Sequence, residues 1–194
     1  MSATLMPDHD RLLTLLAERS ARRGQFTLAS GRESTLYIDA RLTTMSPDGL
    51  ALIGPMGLEA LNRAAWNVSA IGGLTLGADP MSYAIAYASA STPHPLRAFT
   101  VRKEAKAHGT GRLIEGPFQT GDRVAVIEDV ITTGSSALRA VDAIRAAGGI
   151  VAGVLSLVDR EEGGREAILA LGVPVISLTR AHEIIARIST PASQ

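Results

Sequence analysis

The chain has 194 residues, of which 46% are hydrophobic, and its 19 Lys and Arg residues balance 19 Asp and Glu residues. This length supports one domain with a small subdomain at most, and the neutral charge disfavours a general nucleic-acid binder. The sequence lacks cysteine, which excludes disulfides and thiolate metal sites, and it shows no signal peptide and no membrane-spanning apolar run. We therefore expect a cytoplasmic, globular protein without a membrane or nucleic-acid partner.

The first part of the chain combines helix and strand patterns. Its apolar spacing predicts a helix and two short strands joined as a hairpin, at 8–22, 26–28 and 35–38. Ser46 followed by Pro47 is typical of a helix start, and this helix should run to about Ala65. Within one structural domain, we expect an N-terminal helix and hood over 1–45 and an α/β core over 46–194.

After residue 67, strands and helices alternate. Apolar runs predict strands at 68–71, 97–101, 124–127, 150–158 and 173–178. Amphipathic segments predict helices at 79–90, 135–147 and 164–171. This alternation indicates right-handed βαβ units, so the predicted fold class is α/β, with a central, mostly parallel sheet flanked by helices.

Glu128 and Asp129 follow directly on the predicted strand 124–127, and a Thr/Gly/Ser segment then leads into a helix. Ligands bind beyond the carboxyl ends of parallel strands, and backbone N–H groups at a helix N-terminus favour phosphate. Adjacent carboxylates suit vicinal hydroxyls or a hydrated Mg²⁺. The plainer alternative is that Asp129 closes a strand and that Ser135 or Ser136 caps a helix. The combination favours a sugar-phosphate site.

Residues 128–136 resemble the signature of type I phosphoribosyltransferases that binds phosphoribosyl pyrophosphate (PRPP). The resemblance implies the fold of that family, with Glu128 and Asp129 on the ribose hydroxyls and the 132–136 loop on the 5′-phosphate. The implied PRPP-binding residues here are Glu128, Asp129, Val130, Ile131, Thr132, Thr133, Gly134, Ser135 and Ser136. The implied cofactor is Mg²⁺, held mainly through PRPP, with water-mediated contact to the two carboxylates left open.

Residues 102–120 fit no regular element, and a loop of this length is usually functional or disordered. Its cationic residues could stabilise charge on a departing diphosphate, although a solvated charged loop is the plainer alternative. The segment 102–109 resembles the catalytic loop of orotate phosphoribosyltransferases. That resemblance implies four residues that are catalytic and also bind PRPP: Arg102, Lys103, Lys106 and His108. It also implies a homodimer in which loop 102–112 reaches the partner's active site, while Lys103 serves its own.

Three further segments share this resemblance. Residues 26–32 are similar to the family's hood motif, and the implied orotate-binding residues are Tyr37, Ile38, Thr132 and Arg160. A guanidinium suits a planar anionic pyrimidine, although an Arg after a strand usually lies on the surface. Residues 72–80 occupy the place of the diphosphate loop, with an ordinary turn capped by Asp79 as the alternative. Ala29 and Leu76 stand where many members of the family carry Lys.

The resemblance covers about residues 20–180 and implies one reaction. The phosphoribosyl group of PRPP would be transferred to orotate, which gives orotidine 5′-phosphate and diphosphate in de novo pyrimidine biosynthesis. Two alternatives stay open at this point. One is a purine phosphoribosyltransferase, and the other is a non-enzymatic regulator that senses PRPP.

Overall fold

The computed structural model describes residues 8–27, 33–104 and 113–188. Its N-terminal elements are helix α1 (Asp8–Leu15), a π-helical turn (Leu16–Ser20), strands β1 (Ala21–Thr27) and β2 (Glu33–Ile38), and helices α2 (Arg41–Thr44) and α3 (Pro47–Arg63). The elements that follow are β3 (Ala70–Leu74), α4 (Ala78–Ser89), β4 (Arg97–Val101), β5 (Ile114–Glu115), β6 (Arg123–Ile131), α5 (Ser135–Ala146), β7 (Ile150–Asp159), α6 (Gly164–Leu169), β8 (Val175–Arg180) and α7 (Ala181–Arg187).

A six-stranded sheet in the order β5-β4-β3-β6-β7-β8 forms the centre of the described chain. Neighbouring strands are parallel except for β5, which runs antiparallel to β4. Side chains of β6 alternate between two apolar clusters: Ala125 and Ile127 pack on the side of α3 and α4, and Val124 and Val126 pack on the side of α5. The predicted α/β architecture, with helices on both faces, is confirmed.

The predicted hairpin is present as a separate two-stranded antiparallel sheet of β1 and β2. The rings of Phe26 and Tyr37 contact each other across it, with centroids 5.5 Å apart. Leu12 and Leu16, which precede the hairpin, are fully buried in the same apolar cluster as Ile53 of α3. The hood therefore follows directly on a helix that is packed on the core. The predicted division of the chain at residue 45 stays a prediction.

Some predicted boundaries were correct and others were wrong. Ser46 caps α3, since its Oγ accepts from the Gly49 N–H at 3.2 Å, and β4 has the predicted bounds. The single helix over 8–22 was wrong, because its last part is drawn into β1, where Ala21 pairs with Ile38. The strand predicted at 68–71 lies at Ala70–Leu74 instead. Elements α2 and β5, which are very short, were missed, and so was α7, which follows directly on β8.

The most consequential correction concerns β6, which continues to Ile131 instead of ending at residue 127. Glu128 pairs with Ser156 and Ile131 with Asp159 of β7, so the acids lie inside the strand. On the other side, the ladder with β3 reaches only as far as the pair Gly72 and Val126. The last residues of β6 are thus hydrogen-bonded to β7 along one edge. Among the described residues, the edge on the side of β3 is unpaired there and faces the adjoining loops.

Within the described ranges, none of the helices combines the length and the hydropathy needed to cross a lipid bilayer.

Candidate active site

A cavity of about 290 Å³ lies where the carboxyl ends of β3 and β6 meet the hood. Four segments contribute to it: the end of β2 with the turn after it, the β3–α4 loop, the segment that follows β4, and the acidic part of β6 with the start of α5. Its lining consists of Tyr37, Ile38, Asp39, Ala40, Arg41, Leu74, Thr75, Leu76, Gly77, Lys103, Glu128, Asp129, Val130 and Ser136. The structure therefore brings together seven of the predicted site residues from three distant parts of the chain.

Glu128 and Asp129 form the acidic floor of this cavity. Burial, the neighbouring charge of Asp129 and a hydrogen bond shared with that carboxyl raise the pKa of Glu128 well above its ordinary value. Glu128 is only 8% exposed, and its Oε2 has no hydrogen-bond partner among the described residues. Asp129 Oδ1 accepts from the Val130 N–H at 2.8 Å. A buried acceptor of this kind suits a hydroxyl donor or a cation that arrives with a ligand.

The predicted phosphate loop follows β6 and enters α5. Gly134 has φ of 80°, the left-handed conformation that favours glycine, and it immediately precedes the helix. The loop lies tightly against Gly164, where an added Cβ would come within 2.7 Å of the Gly134 nitrogen. Thr133 Oγ1 and Ser135 Oγ are 3.2 Å apart. The first N–H groups of α5 have no acceptor within the helix, so this turn can bind an anion.

Of this loop, Ser136 lines the cavity, and the residues from Ile131 to Ser135 are not part of the lining. They continue from the lined stretch Glu128–Val130 toward α6. A ligand that contacts both parts would extend from the acidic floor along the start of α5. The predicted roles of Ile131, Thr132, Thr133, Gly134 and Ser135 remain predictions.

The β3–α4 loop forms a second wall, opposite β6. Gly77 packs so closely on Asp129 that an added Cβ would lie 2.6 Å from its Oδ1. The peptide bond between Thr75 and Leu76 is cis. Asp79 does not cap α4, because the helix already begins at Ala78 and the N-cap residue is Gly77. The side chain of Asp79 instead accepts hydrogen bonds from Thr75 and Thr100, so the alternative of a turn capped by Asp79 is wrong.

Of the predicted catalytic cations, Lys103 lines the cavity, two residues after the end of β4. Its carbonyl oxygen accepts from Arg139 Nη2 of α5 at 2.8 Å, which ties this residue to the phosphate-loop helix. Arg102 lies outside the lining, and its Nη1 is 3.5 Å from Glu115 Oε1. Lys106 and His108 lie outside the described residues, as does Ala29 of the hood motif. Their predicted roles stay predictions.

The hood residues Tyr37 and Ile38 line the cavity, whereas Arg160 does not. The Arg160 guanidinium is buried between the core and the hood, where its Nη2 donates to Leu36 O at 2.8 Å and to Ser34 Oγ at 3.0 Å. It also donates to Glu162 Oε1 at 2.6 Å. Arg160 therefore holds the strand that carries Tyr37, and its predicted contact with orotate is not tested by this geometry.

Three lining residues, Asp39, Ala40 and Arg41, were missed by the sequence analysis. Arg41 makes a two-pronged contact with Asp39, through Nε to Oδ1 at 2.8 Å and Nη2 to Oδ2 at 2.9 Å. This contact lowers the pKa of Asp39 and is the main reason that the pKa of Arg41 is raised, with a smaller contribution from the charge of Asp129. The Asp-Ala-Arg sequence after the second hood strand was the available signal, but it could not show that the turn faces the acidic floor.

The described residues contain no cluster of three or more His, Cys, Asp or Glu side chains that could cage a metal. Mg²⁺ is commonly held by one or two carboxylates together with the phosphates of its substrate. The unpartnered Glu128 Oε2 and the adjacent Asp129 fit such an ion when a ligand carries it in.

Comparison with known proteins decides the family. An orotate phosphoribosyltransferase of Aquifex aeolicus is 47% identical over 184 residues, which cover 93% of this chain and 100% of that protein. The Mycobacterium tuberculosis H37Rv orotate phosphoribosyltransferase is 49% identical over 167 residues, covering 86% of this chain and 90% of that one. The chain belongs to the orotate phosphoribosyltransferase family. No protein-family model matches it.

Solved structures agree with membership of the orotate phosphoribosyltransferase family. The crystal structure of the M. tuberculosis enzyme in complex with PRPP is 43% identical, with a TM-score of 0.77, and the match covers 92% of this chain and 99% of that one. Adenine phosphoribosyltransferase from Leishmania tarentolae has a TM-score of 0.63 at 18% identity and so shares the fold alone. The predicted type I phosphoribosyltransferase fold is confirmed.

Proposed function

We propose that this chain transfers the phosphoribosyl group of PRPP to orotate and releases diphosphate and orotidine 5′-phosphate. The observation that carries the proposal is the single cavity in which an acidic pair, Lys103 and the hood residues Tyr37 and Ile38 meet. An acidic pair suits a ribose, a nearby cation suits a leaving diphosphate, and a hood with an aromatic side chain suits a planar base. The similarity of this chain to orotate phosphoribosyltransferases, over almost its whole length, supports the same conclusion.

In this mechanism Glu128 and Asp129 accept hydrogen bonds from the two ribose hydroxyls. The loop Thr132–Ser136 holds the 5′-phosphate with backbone N–H groups and hydroxyls at the start of α5. Mg²⁺, when it arrives with PRPP, supplies charge neutralisation for the diphosphate, and Glu128 and Asp129 are the residues that would face it. The bond from ribose C1 to the diphosphate oxygen breaks, a bond from C1 to N1 of orotate forms, and the N1 proton is lost to solvent or to the departing diphosphate. The acidic pair stabilises the positive charge that develops on the ribose.

The leaving diphosphate is neutralised by cations of the loop after β4. Lys103 acts on the cavity that its own chain forms, and we infer that Arg102, Lys106 and His108 serve the active site of a partner. This arrangement requires a homodimer in which loop 102–112 crosses between subunits. Lys103 lies on the lining, whereas Arg102 lies outside it and beside Glu115, which supports such a division of roles.

The base is held by the hood. Tyr37 offers a ring and Ile38 an apolar surface, while Thr132 and Arg160 provide polar contacts for the orotate carboxylate and carbonyls. The hydrogen bonds from Arg160 to Ser34 and Leu36 support this role, because they set the guanidinium beside the strand that carries Tyr37. Location in the cytoplasm stays a prediction from the sequence.

The reaction is tested by mixing purified protein with orotate, PRPP and Mg²⁺ and following the loss of orotate absorbance. Asp129→Asn should abolish most of the turnover, since it removes an acceptor of the cavity. Glu59→Gln is the matched control, because Glu59 is an exposed carboxylate on α3, and its activity should equal that of the parent. Turnover with hypoxanthine or adenine but none with orotate would select a purine phosphoribosyltransferase, and PRPP binding without any turnover would select a regulator.

A further inference from the structure

The Asp79 carboxylate joins two segments that are far apart in the chain. Its Oδ2 accepts from Thr75 Oγ1 of the β3–α4 loop, and its Oδ1 accepts from Thr100 Oγ1 of β4, both at 2.8 Å. Tyr83 OH lies 3.0 Å from Thr100 Oγ1. Because the single hydroxyl hydrogen of Thr100 points to Asp79, Tyr83 must be the donor to Thr100. Two chains of hydrogen bonds therefore converge on one carboxylate.

This convergence holds the loop Thr75–Gly77 at the cavity. The three loop residues belong to the lining, whereas Asp79, Thr100 and Tyr83 do not. The Thr75 backbone N–H also donates to Val101 O at 2.9 Å, which ties the same residue to β4. The carboxylate lies in the first turn of α4, where the helix dipole favours negative charge. Thr75, at the start of the loop, is thus held by Asp79. Gly77, at its end, packs on Asp129.

We propose that Asp79 is a positioning residue for the leaving diphosphate. It fixes the wall Thr75–Gly77 in its binding geometry and thereby sets the affinity for the diphosphate half of PRPP, without touching that ligand. The inference rests on the proposed function and on the resemblance of residues 72–80 to the family's diphosphate loop. Preorganisation is the physical reason, because a loop that is already ordered does not pay its ordering entropy when the ligand binds.

The sign of the effect separates this role from simple electrostatics. Removal of a negative charge near an anion site should tighten diphosphate binding if charge alone matters. Loss of a positioning contact should weaken it. For Asp79→Ala we expect the inhibition constant for diphosphate and the KM for PRPP to rise roughly tenfold, which corresponds to about 1.4 kcal/mol. The KM for orotate at saturating PRPP should stay within about twofold of the parent value, because the hood is untouched.

A second variant, Thr100→Val, keeps the proposal testable if Asp79→Ala fails to fold. Thr100→Val keeps the charge of Asp79 and removes one of its two donors, so we expect a smaller rise in both constants. Thr100→Ser keeps the hydroxyl and should restore the parent values. The control is Ser89→Ala, which removes a buried hydroxyl from the other end of α4, where Ser89 Oγ accepts from the Leu96 N–H at 2.8 Å. It should lower thermal stability without changing the inhibition constant for diphosphate.

The outcomes are separable. A parent protein that forms no product from orotate and PRPP overturns the proposed function itself. If the parent is active, unchanged or tighter diphosphate inhibition in Asp79→Ala overturns the positioning role, as does an equal rise in Ser89→Ala. A rise in Asp79→Ala, a smaller rise in Thr100→Val and parent values in Thr100→Ser support it.

Discussion

Adding a single methyl group at Gly77 should lower the catalytic efficiency far more than a comparable methyl group elsewhere that costs similar stability. Its backbone has φ of −62° and ψ of −46°, a helical conformation that alanine also adopts, so Gly77→Ala introduces no backbone strain. The new methyl group would lie 2.6 Å from Asp129 Oδ1 and 2.7 Å from its Cγ and Oδ2, whereas ordinary contact begins at 3.4 Å. The loop and the carboxylate must therefore separate by about 0.8 Å, the shortfall between these distances.

Such a displacement acts on both walls of the cavity. Overpacking of this kind costs about 1–3 kcal/mol of stability. A misplacement near 1 Å can lower a rate by on the order of a hundredfold. We expect kcat/KM for PRPP in Gly77→Ala to fall by about that factor, measured from initial rates of orotate consumption.

The matched control is Gly149→Ala, where the added methyl would also meet an atom at 2.6 Å, in this case Cγ2 of Ile144. Gly149 lies between α5 and β7, away from the cavity lining. This control should lose thermal stability and keep its kcat/KM. A Gly77→Ala variant whose kcat/KM stays within twofold of the parent would refute the argument that Gly77 and Asp129 must touch.

The other predictions concern charge in the cavity. Lys103→Ala should lower kcat by on the order of a hundredfold with little change in Tm, since in the proposed mechanism its ammonium neutralises the leaving diphosphate; near-parental turnover would remove Lys103 from the mechanism. The raised pKa of Glu128 means that the folded state holds this proton more tightly than the unfolded chain, so stability falls as pH rises from 4.5 through the folded pKa. Glu128→Gln should therefore raise Tm at pH 8 and have little effect at pH 4, as read by thermal denaturation, and a Tm gain that is independent of pH would contradict this. Leu76 is 60% exposed on the lining, so Leu76→Lys adds a cation worth about 1 kcal/mol, or roughly fivefold tighter diphosphate inhibition. The gain should disappear at high salt, and an unchanged inhibition constant would show that residue 76 does not face the diphosphate.

Local patterns were sufficient to predict much of the fold. Periodicity and end signals depend on neighbouring residues, which is why β4 and the start of α3 at Ser46 were predicted correctly. The resemblance at Glu128–Ser136 and at the loop after β4 led to the correct family for the same reason, because both motifs are contiguous. The elements α2 and β5 were missed, since four and two residues carry too little periodicity to stand out. The seven-residue α7 was also missed, because it follows β8 directly and no loop signal separates the two elements.

The contacts of the candidate site could not be predicted from local sequence patterns. Arg160 meets Ser34, which is 126 positions away, and Asp79 meets Thr100, which is 21 positions away. No pattern in either segment specifies its partner. Arg41 was missed for this reason, since its position beside the acidic floor depends on how the hood folds back over β6.

The amino-acid sequence by itself determined the α/β class, the family and the acidic pair of the candidate site, because each of these depends on residues that are adjacent or regularly spaced. Only the tertiary structure decided that Glu128 and Asp129 lie inside β6. That extension depends on pairing with β7 after the ladder to β3 has ended, a contact between distant strands. It also decided that Asp79 anchors a loop instead of capping a helix, because hydrogen bonds from Thr75 and Thr100 satisfy its carboxylate across two elements.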